Sequence, residues 1–340
     1  MDIIKKNISK IDFHVHYLPK AYKEVMLKYC GERPDDSPTP DWDADSHLEA
    51  MDCLGISTSM LSLSSPHINL GDKELTKALA REFNEDGAAL VKKYPGRFGL
   101  FASLPLPDVE DSIAEIQYAR NVLHADGFAL PTNTQGVYLG NERLNPIMEE
   151  LNRYKSFVVI HPNKPSSVPA HVTEGMPIPW LEYFNDTTRT VTNMILNGTM
   201  KRFPDIKFII PHAGAFLPIS ADRLSGALGQ LPICNKPIEP EDIDVYSTLK
   251  GLYYDVAGVC LPRQLPCLMQ LVDVEHLLYG SDYPYTSLSR CMILTDMLDK
   301  TELLTDRQRQ SIYYENALHL FPRLLKTGIH NKIIVGRTIL

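Results

Sequence analysis

The stretch "IDFHVHYLP" (Ile11–Pro19) places two histidines, His14 and His16, one residue apart in an apolar, strand-like run. Along a β-strand, side chains i and i+2 leave the same face, so the two imidazoles stand side by side. Such a pair fits two ligands of one metal ion. It equally fits two polar residues on an ordinary half-exposed strand. What the rest of the chain brings to the same place decides between them.

Working outward from this run, short β-rich apolar segments recur, separated by longer stretches of helical periodicity. Strands are expected at Lys10–His14, Ser57–Leu63, Phe98–Ser103, Gly127–Leu130, Phe157–His161, Lys207–Pro211, Leu252–Val256 and His276–Tyr279. Helices are expected between them, the longest over Asp72–Tyr94, with others in "TTRTVTNMILNGTMKRF" and in "TDRQRQSIYYENALHLF" near the end. Eight strands alternating with helices in a chain of this length read as an α/β protein, a (β/α)8 TIM barrel. The competing doubly wound sheet usually carries a glycine-rich turn after its first strand, and here that turn is "HYLPKAY". One barrel is expected over residues 1–327, with a small insertion after strand one at about 17–45 and a tail at 328–340. The Pro- and Asp-rich "GERPDDSPTPDWDADS" within that insertion is expected to lie over the barrel mouth.

Composition narrows the function. The 340 residues are 44% hydrophobic and carry a net charge of −8, so a sizeable core can be buried and no basic face for nucleic acid is implied. The six cysteines form no C-x-x-C pair, and no apolar run approaches membrane-spanning length. The expectation is a soluble cytoplasmic protein with reduced thiols and no membrane partner.

The unusual polar residues fall at matching places on this map. His14 and His16 close strand one, His161 ends strand five in "SFVVIHP", His212 ends strand six in "KFIIPHAG", and Asp282 follows strand eight in "HLLYGSDYPY". The carboxyl ends of barrel strands build the active site, so five ligand-type side chains converge on one rim. Imidazoles with a carboxylate suit Zn²⁺, and also Mn²⁺ or Fe²⁺ when water or substrate oxygen completes the shell. Asp12, two residues before His14, is placed on the same strand face, where it could orient a ligand imidazole or serve the barrel floor. His67, His124, His171, His276, His319 and His330 show no strand-end placement and are read as structural.

The pattern "DFHVH", "VVIHP", "IIPHAGAFLP", "YGSDYPY" resembles the amidohydrolase superfamily, and within it the branch of aminocarboxymuconate-semialdehyde decarboxylase. That branch includes decarboxylases of γ-resorcylate, 5-carboxyvanillate, 6-methylsalicylate and iso-orotate. The likeness runs from about Lys10 to Arg323. It implies that His14, His16, His161 and Asp282 bind one divalent metal, Zn²⁺ or Mn²⁺, with His212 beside it as a proton-transfer or polarising group. It also implies that Arg223, eleven residues after His212, holds a substrate carboxylate in the neighbouring subunit of a homodimer. Tyr285 matches a tyrosine near the substrate in some members. His47 stands where the name-giving enzyme has a substrate-contacting arginine, a departure that bears on the substrate.

Two reactions fit this set. Hydrolysis of a lactone, amide or related bond would use a metal-activated water with Asp282 as base. Non-oxidative decarboxylation of a small aromatic or unsaturated carboxylic acid would instead use Asp282 or His212 to deliver a proton as CO2 leaves. Two-metal hydrolases of the superfamily carry a modified lysine at the end of strand four. That strand here ends "GFALPTN", without one, so a single metal and the decarboxylase reading are expected.

Overall fold

The computed structural model describes residues 9–169, 171, 174–228 and 243–327; the expected tail at 328–340 lies outside the described residues. Eight parallel strands form one sheet in sequence order. They are β1 (Lys10–His16), β2 (Ile56–Ser62), β3 (Phe98–Ser103), β4 (Gly127–Pro131), β5 (Phe157–His161), β6 (Lys207–Ile210), β7 (Tyr253–Asp255) and β8 (Leu277–Leu278). Backbone bonds from Phe13 N–H to the Tyr279 carbonyl (2.9 Å) and from His16 N–H to the Tyr283 carbonyl (2.8 Å) bring the last strand back to the first. The fold is a (β/α)8 barrel.

Inward residues of the strands form the floor. Ile11, Phe13, Met60, Phe101, Ala129, Val159, Ile209 and Leu278 pack together and are closed from below by Ala317, Phe321 and Leu324. A larger cluster fills the layer between strands and helices. The helix over Lys73–Lys93 shows how the sequence builds that layer. Asp72 caps it by accepting from Leu75 N–H, and its buried residues Thr76, Leu79, Ala80, Phe83, Asn84 and Gly87 follow a single helical stripe.

Three local departures from the sequence reading have physical causes. The helix expected from Thr187 begins earlier, at Glu182, and stops at Leu196, because Gly198 turns left-handed (φ 67°) before a short helix over Thr199–Arg202. The segment after β1 is not irregular throughout: Lys20–Cys30 is helical before the chain turns at Pro34–Asp36. The pairing of β1 with β2 slips between Lys10 and Ile11 and again between Asp12 and Val15, so alternation along β1 is interrupted. Asp12 therefore does not serve the His14 ring. Its Oδ1 accepts the backbone N–H groups of His14 and Ser281, each at 3.1 Å, and ties the first strand to the loop after the last.

Candidate metal centre

His14 and His16 lie at the carboxyl end of β1 and His161 ends β5, and their ligand atoms lie within 4.8 Å of one another. Each ring is held by an acceptor at Nδ1. His14 Nδ1 faces Asp255 Oδ2 at 2.8 Å, and His161 Nδ1 faces the Pro162 carbonyl at 2.8 Å. His16 Nδ1 lies 3.4 Å from Ser62 Oγ, whose own proton goes to the Val15 carbonyl. Carboxylate and carbonyl oxygens can only accept, so Nδ1 carries a proton in these rings and Nε2 is the atom left for a metal, which at His14 would displace the proton that Asp255 and Asp282 favour. The Nε2 atoms of His14 and His16 are buried without a hydrogen-bond partner. Both face Asp282 Oδ1, at 3.5 and 3.4 Å.

Asp282 is presented by strained backbone. Its φ is 62°, its N–H donates to the His14 carbonyl (2.7 Å), and its Oδ2 accepts from the Thr286 hydroxyl (2.8 Å). Gly280 is required just before it, since a Cβ there would sit 2.7 Å from the Cβ of His14. The turn after β6 is similar: His212, Ala213 and Ala215 all have φ near +50°. His212 joins His14 and Asp282 in a second group of ligand atoms within 4.8 Å. Its ring stacks on Phe184 with centroids 5.6 Å apart, and its Nδ1 is buried without a hydrogen-bond partner.

Electrostatics follow from burial against charge. Burial drives the imidazoles of His16 and His161 down and brings that of His212 to about 4, so these rings are neutral at pH 7. Burial opposes charge on Asp282 as well, yet His14 and His16 hold its carboxyl well below the usual range. At His14, burial is outweighed by Asp255 and Asp282, which together push the imidazole up to about 10. Two partnerless Nε2 atoms facing one ionised carboxylate, with the His161 ligand atom within 4.8 Å of both histidines, form a donor set that fits a divalent cation. His14, His16, His161 and Asp282 would hold it, with His212 alongside.

Above this cluster lies a cavity of about 830 Å³. His161, His212, Asp282, Tyr285 and Thr286 line its base, while Pro34, Pro38, Pro40, Pro179, Trp180, Phe184 and Val259 give it an apolar wall. Thus both irregular stretches of the sequence, around residues 34–40 and 177–180, face the mouth. Asp35 fastens the first of them by accepting from the hydroxyls of Tyr183 (2.9 Å) and Ser65. Tyr285 stands in the cavity with its ring 5.8 Å from that of His16.

Two expected substrate contacts lie elsewhere. His47 is 1% exposed; Trp42 Nε1–H donates to its Nδ1 (2.9 Å) and Ser59 Oγ lies 3.2 Å from its Nε2. It packs on Phe98 and Tyr283 and is not among the residues that line the cavity, where a substrate contact was expected of it. Arg223 is exposed on the helix Leu217–Ala227 and does not line this chain's own cavity. Asp255, which the sequence reading missed, supports two of the site histidines. Its signal was a lone carboxylate closing the strand "LYYDVAG".

The amidohydrolase family model matches residues 11–323. The 6-methylsalicylic acid decarboxylase acuB of Aspergillus aculeatus is 32% identical over 320 residues, covering 93% of this chain and 96% of that one. A crystal structure of an amidohydrolase II, a structural-genomics target, is 43% identical with a TM-score of 0.87, over 92% of this chain and 99% of that chain. The 5-carboxyvanillate decarboxylase of Novosphingobium aromaticivorans, solved with manganese and 4-hydroxy-3-methoxy-5-nitrobenzoic acid, shares the fold at 21% identity. Its TM-score is 0.83 over 94% of this chain and 97% of that one. On the extent of the family match and of these likenesses, the chain belongs to the amidohydrolase family.

Proposed function

We propose that this protein is a metal-dependent, non-oxidative decarboxylase, a carboxy-lyase acting on a small aromatic or unsaturated carboxylic acid. One observation carries the reading. His14 and His16, each with a partnerless Nε2 facing Asp282, cluster with His161 at the base of an apolar-walled cavity, in a chain about one-third identical to a 6-methylsalicylic acid decarboxylase. His14, His16, His161 and Asp282 hold one divalent ion, Mn²⁺ or Zn²⁺. When bound, that ion supplies Lewis-acid polarisation and a fixed point for substrate oxygens.

The remaining work falls to the chain. Decarboxylation exchanges a C–C bond for a C–H bond, so one proton must reach the carbon that CO2 leaves. Asp282 and His212 handle that proton. Asp282, ionised at the base, must first take that proton up from an acidic group of the substrate or from water before passing it to the carbon, and His212 is a neutral ring beside it whose Nδ1 has no hydrogen-bond partner. Tyr285 bounds the substrate on the His16 side. The apolar wall excludes water from the ring and favours an uncharged substituent.

Arg223 completes the site from a second copy in a homodimer. Ile219, one turn before it on the same helix, is 74% exposed, and Trp180 and Val259 at the cavity rim are 73% and 57% exposed. Such apolar exposure around a mouth supports coverage by a partner. The five described cysteines are free thiols, which supports a cytoplasmic setting, and no helix among the described residues is long and apolar enough to cross a membrane.

The test is CO2 release by protein loaded separately with Mn²⁺ and Zn²⁺, offered 6-methylsalicylate, hydroxybenzoates, carboxyvanillate and pyrimidine carboxylates. Release that vanishes in Asp282→Ala establishes the reaction. Silence across the panel with metal verifiably bound overturns it in favour of hydrolysis.

A further inference from the structure

Asp255 closes β7 and is 3% exposed, and it spends its two oxygens on different partners. Oδ2 accepts from His14 Nδ1 at 2.8 Å. Oδ1 accepts the backbone N–H of His212 at 2.9 Å and that of Ala257 at 3.1 Å. The first bond fixes the His14 tautomer, with the proton on Nδ1 and the lone pair on Nε2. The second bears on a residue whose ring makes no hydrogen bond through Nδ1 and is placed by its backbone and by ring contacts with Phe184 and His14. His212 sits in the left-handed region (φ 55°), its ring Nδ1 has no hydrogen-bond partner, and Phe184 touches the ring only by stacking. Asp255 holds its N–H, while Gln264 Nε2 donates to its carbonyl at 2.5 Å.

We propose that Asp255 is a positioning residue with two separable tasks. Through Oδ2 it keeps His14 in the metal-binding tautomer, and through Oδ1 it sets the placement of His212 for proton handling. One rigid carboxylate thereby registers the metal-binding group against the proton-handling group. The proposal rests on the decarboxylase reading for its second task only.

The isosteric variant Asp255→Asn separates the two. Its carboxamide has one oxygen and one NH2. Two fixed backbone N–H groups face the Oδ1 position, whereas His14 can change tautomer, so the oxygen stays with His212 and Ala257. The NH2 group then faces His14 Nδ1, which must accept, moving the ring proton to Nε2, the atom aimed at Asp282 and the metal position. Asp255→Ala removes both tasks.

The experiment measures Zn²⁺ affinity by chelator competition and kcat at saturating metal, with the His14 ring followed by long-range ¹H–¹⁵N correlation in the zinc-loaded protein. Asp255→Asn is expected to lose about 10- to 100-fold in Zn²⁺ affinity. It should also lose the Nδ1–H signal of His14, and at saturating metal it should keep a higher kcat than Asp255→Ala, because only the latter also releases His212. Asp255→Ala is expected to lose affinity likewise and, at saturating metal, kcat as well. Wild-type Zn²⁺ affinity in Asp255→Asn overturns the first task whatever reaction the enzyme performs. Equal kcat in the Asn and Ala variants at saturating metal overturns the second. If Asp255→Ala fails to fold, Gln264→Ala, which frees the other end of the same turn, replaces it: kcat loss with unchanged Zn²⁺ affinity supports the second task, and unchanged kcat overturns it. Absence of decarboxylation in the wild-type protein would strike the reaction and leave the affinity result standing.

Discussion

Two cavities of similar size open at opposite ends of the barrel, and their polar groups are treated in opposite ways. At the amino end, about 700 Å³ is lined by His276, Arg307, Glu315 and Asn316 among others, and these groups are paired. Arg307 meets Glu315 at 2.9 Å, His276 Nδ1 meets the Leu252 carbonyl, and Asn316 donates to the carbonyls of Val274 and Leu277. At the carboxyl end, Nε2 of His14, Nε2 of His16 and Nδ1 of His212 are buried with no hydrogen-bond partner. Burying a polar atom unpaired costs about 1–3 kcal/mol, so a cluster of them persists only where something else is to be bound. The turns that carry His212 and Asp282 at the carboxyl end also hold strained backbone, with positive φ at His212, Ala213, Ala215 and Asp282. Size does not distinguish a site from a crevice here; unsatisfied donor atoms do.

The largest break in this contrast comes from Asp282→Ala. It removes the one carboxylate facing both free Nε2 atoms, and activity should fall by about 10²- to 10⁴-fold or more, with loss of bound metal by elemental analysis. Full activity, or full metal content, would remove the centre from the mechanism. Chelation is the milder form of the same test. Activity should disappear and return with Mn²⁺ or Zn²⁺, and metal at a hundredfold excess over its Kd should add about 2.7 kcal/mol to stability in a calorimetric or denaturant measurement. The floor should answer in the reverse way. Phe101→Ala empties the centre of the lower layer and should cost about 3–5 kcal/mol of stability, while metal affinity per folded molecule stays unchanged. A Phe101→Ala protein that folds well but has lost metal would mean that the two ends are not independent.

The metal ligands were legible from sequence because each is a type-specific residue at a strand end, where periodicity and residue type agree. The same holds for the eight strands, since runs such as "FVVIH" are apolar, short and bounded by turns. What sequence could not supply was phase and partner. The pairing slip in β1 takes Asp12 away from the His14 ring, and nothing in "KIDFHVH" marks it. Asp255 is separated from His14 by 241 positions, so only closure of the barrel brings them together. His47 lies in a capped helix beside an Asp-rich loop, which is compatible with either a rim or an interior position. Its burial is decided by Trp42, Phe98 and Tyr283 arriving from three other segments.

His47 gives the next test in order of effect. Replacing it with Ala leaves the Trp42 indole N–H and the buried Ser59 hydroxyl without a partner, at a cost of about 1–3 kcal/mol. KM measured at saturating metal should stay within about twofold. A tenfold rise in KM with an unchanged melting temperature would restore the substrate contact and refute the packing role.

Trp180 is expected to show the smallest effect on the fold and the most instructive one on the mouth. It lines the cavity yet is 73% exposed, so the isolated chain gains little from it, and Trp180→Ala should move stability by no more than about 0.5 kcal/mol. A large aromatic side chain this exposed at a cavity rim is available to a partner. Two partners are open to it, a substrate ring inside the cavity or a second copy over the mouth, and they leave different marks. If the ring is the partner, KM rises several-fold with the dissociation constant of the dimer unchanged. If the second copy is the partner, sedimentation shows dimer loss, and activity becomes dependent on protein concentration because Arg223 no longer reaches the neighbouring site. Unchanged KM together with unchanged sedimentation would assign Trp180 to neither, and the apolar wall of the cavity would then have to be carried by Phe184, Val259 and the prolines alone.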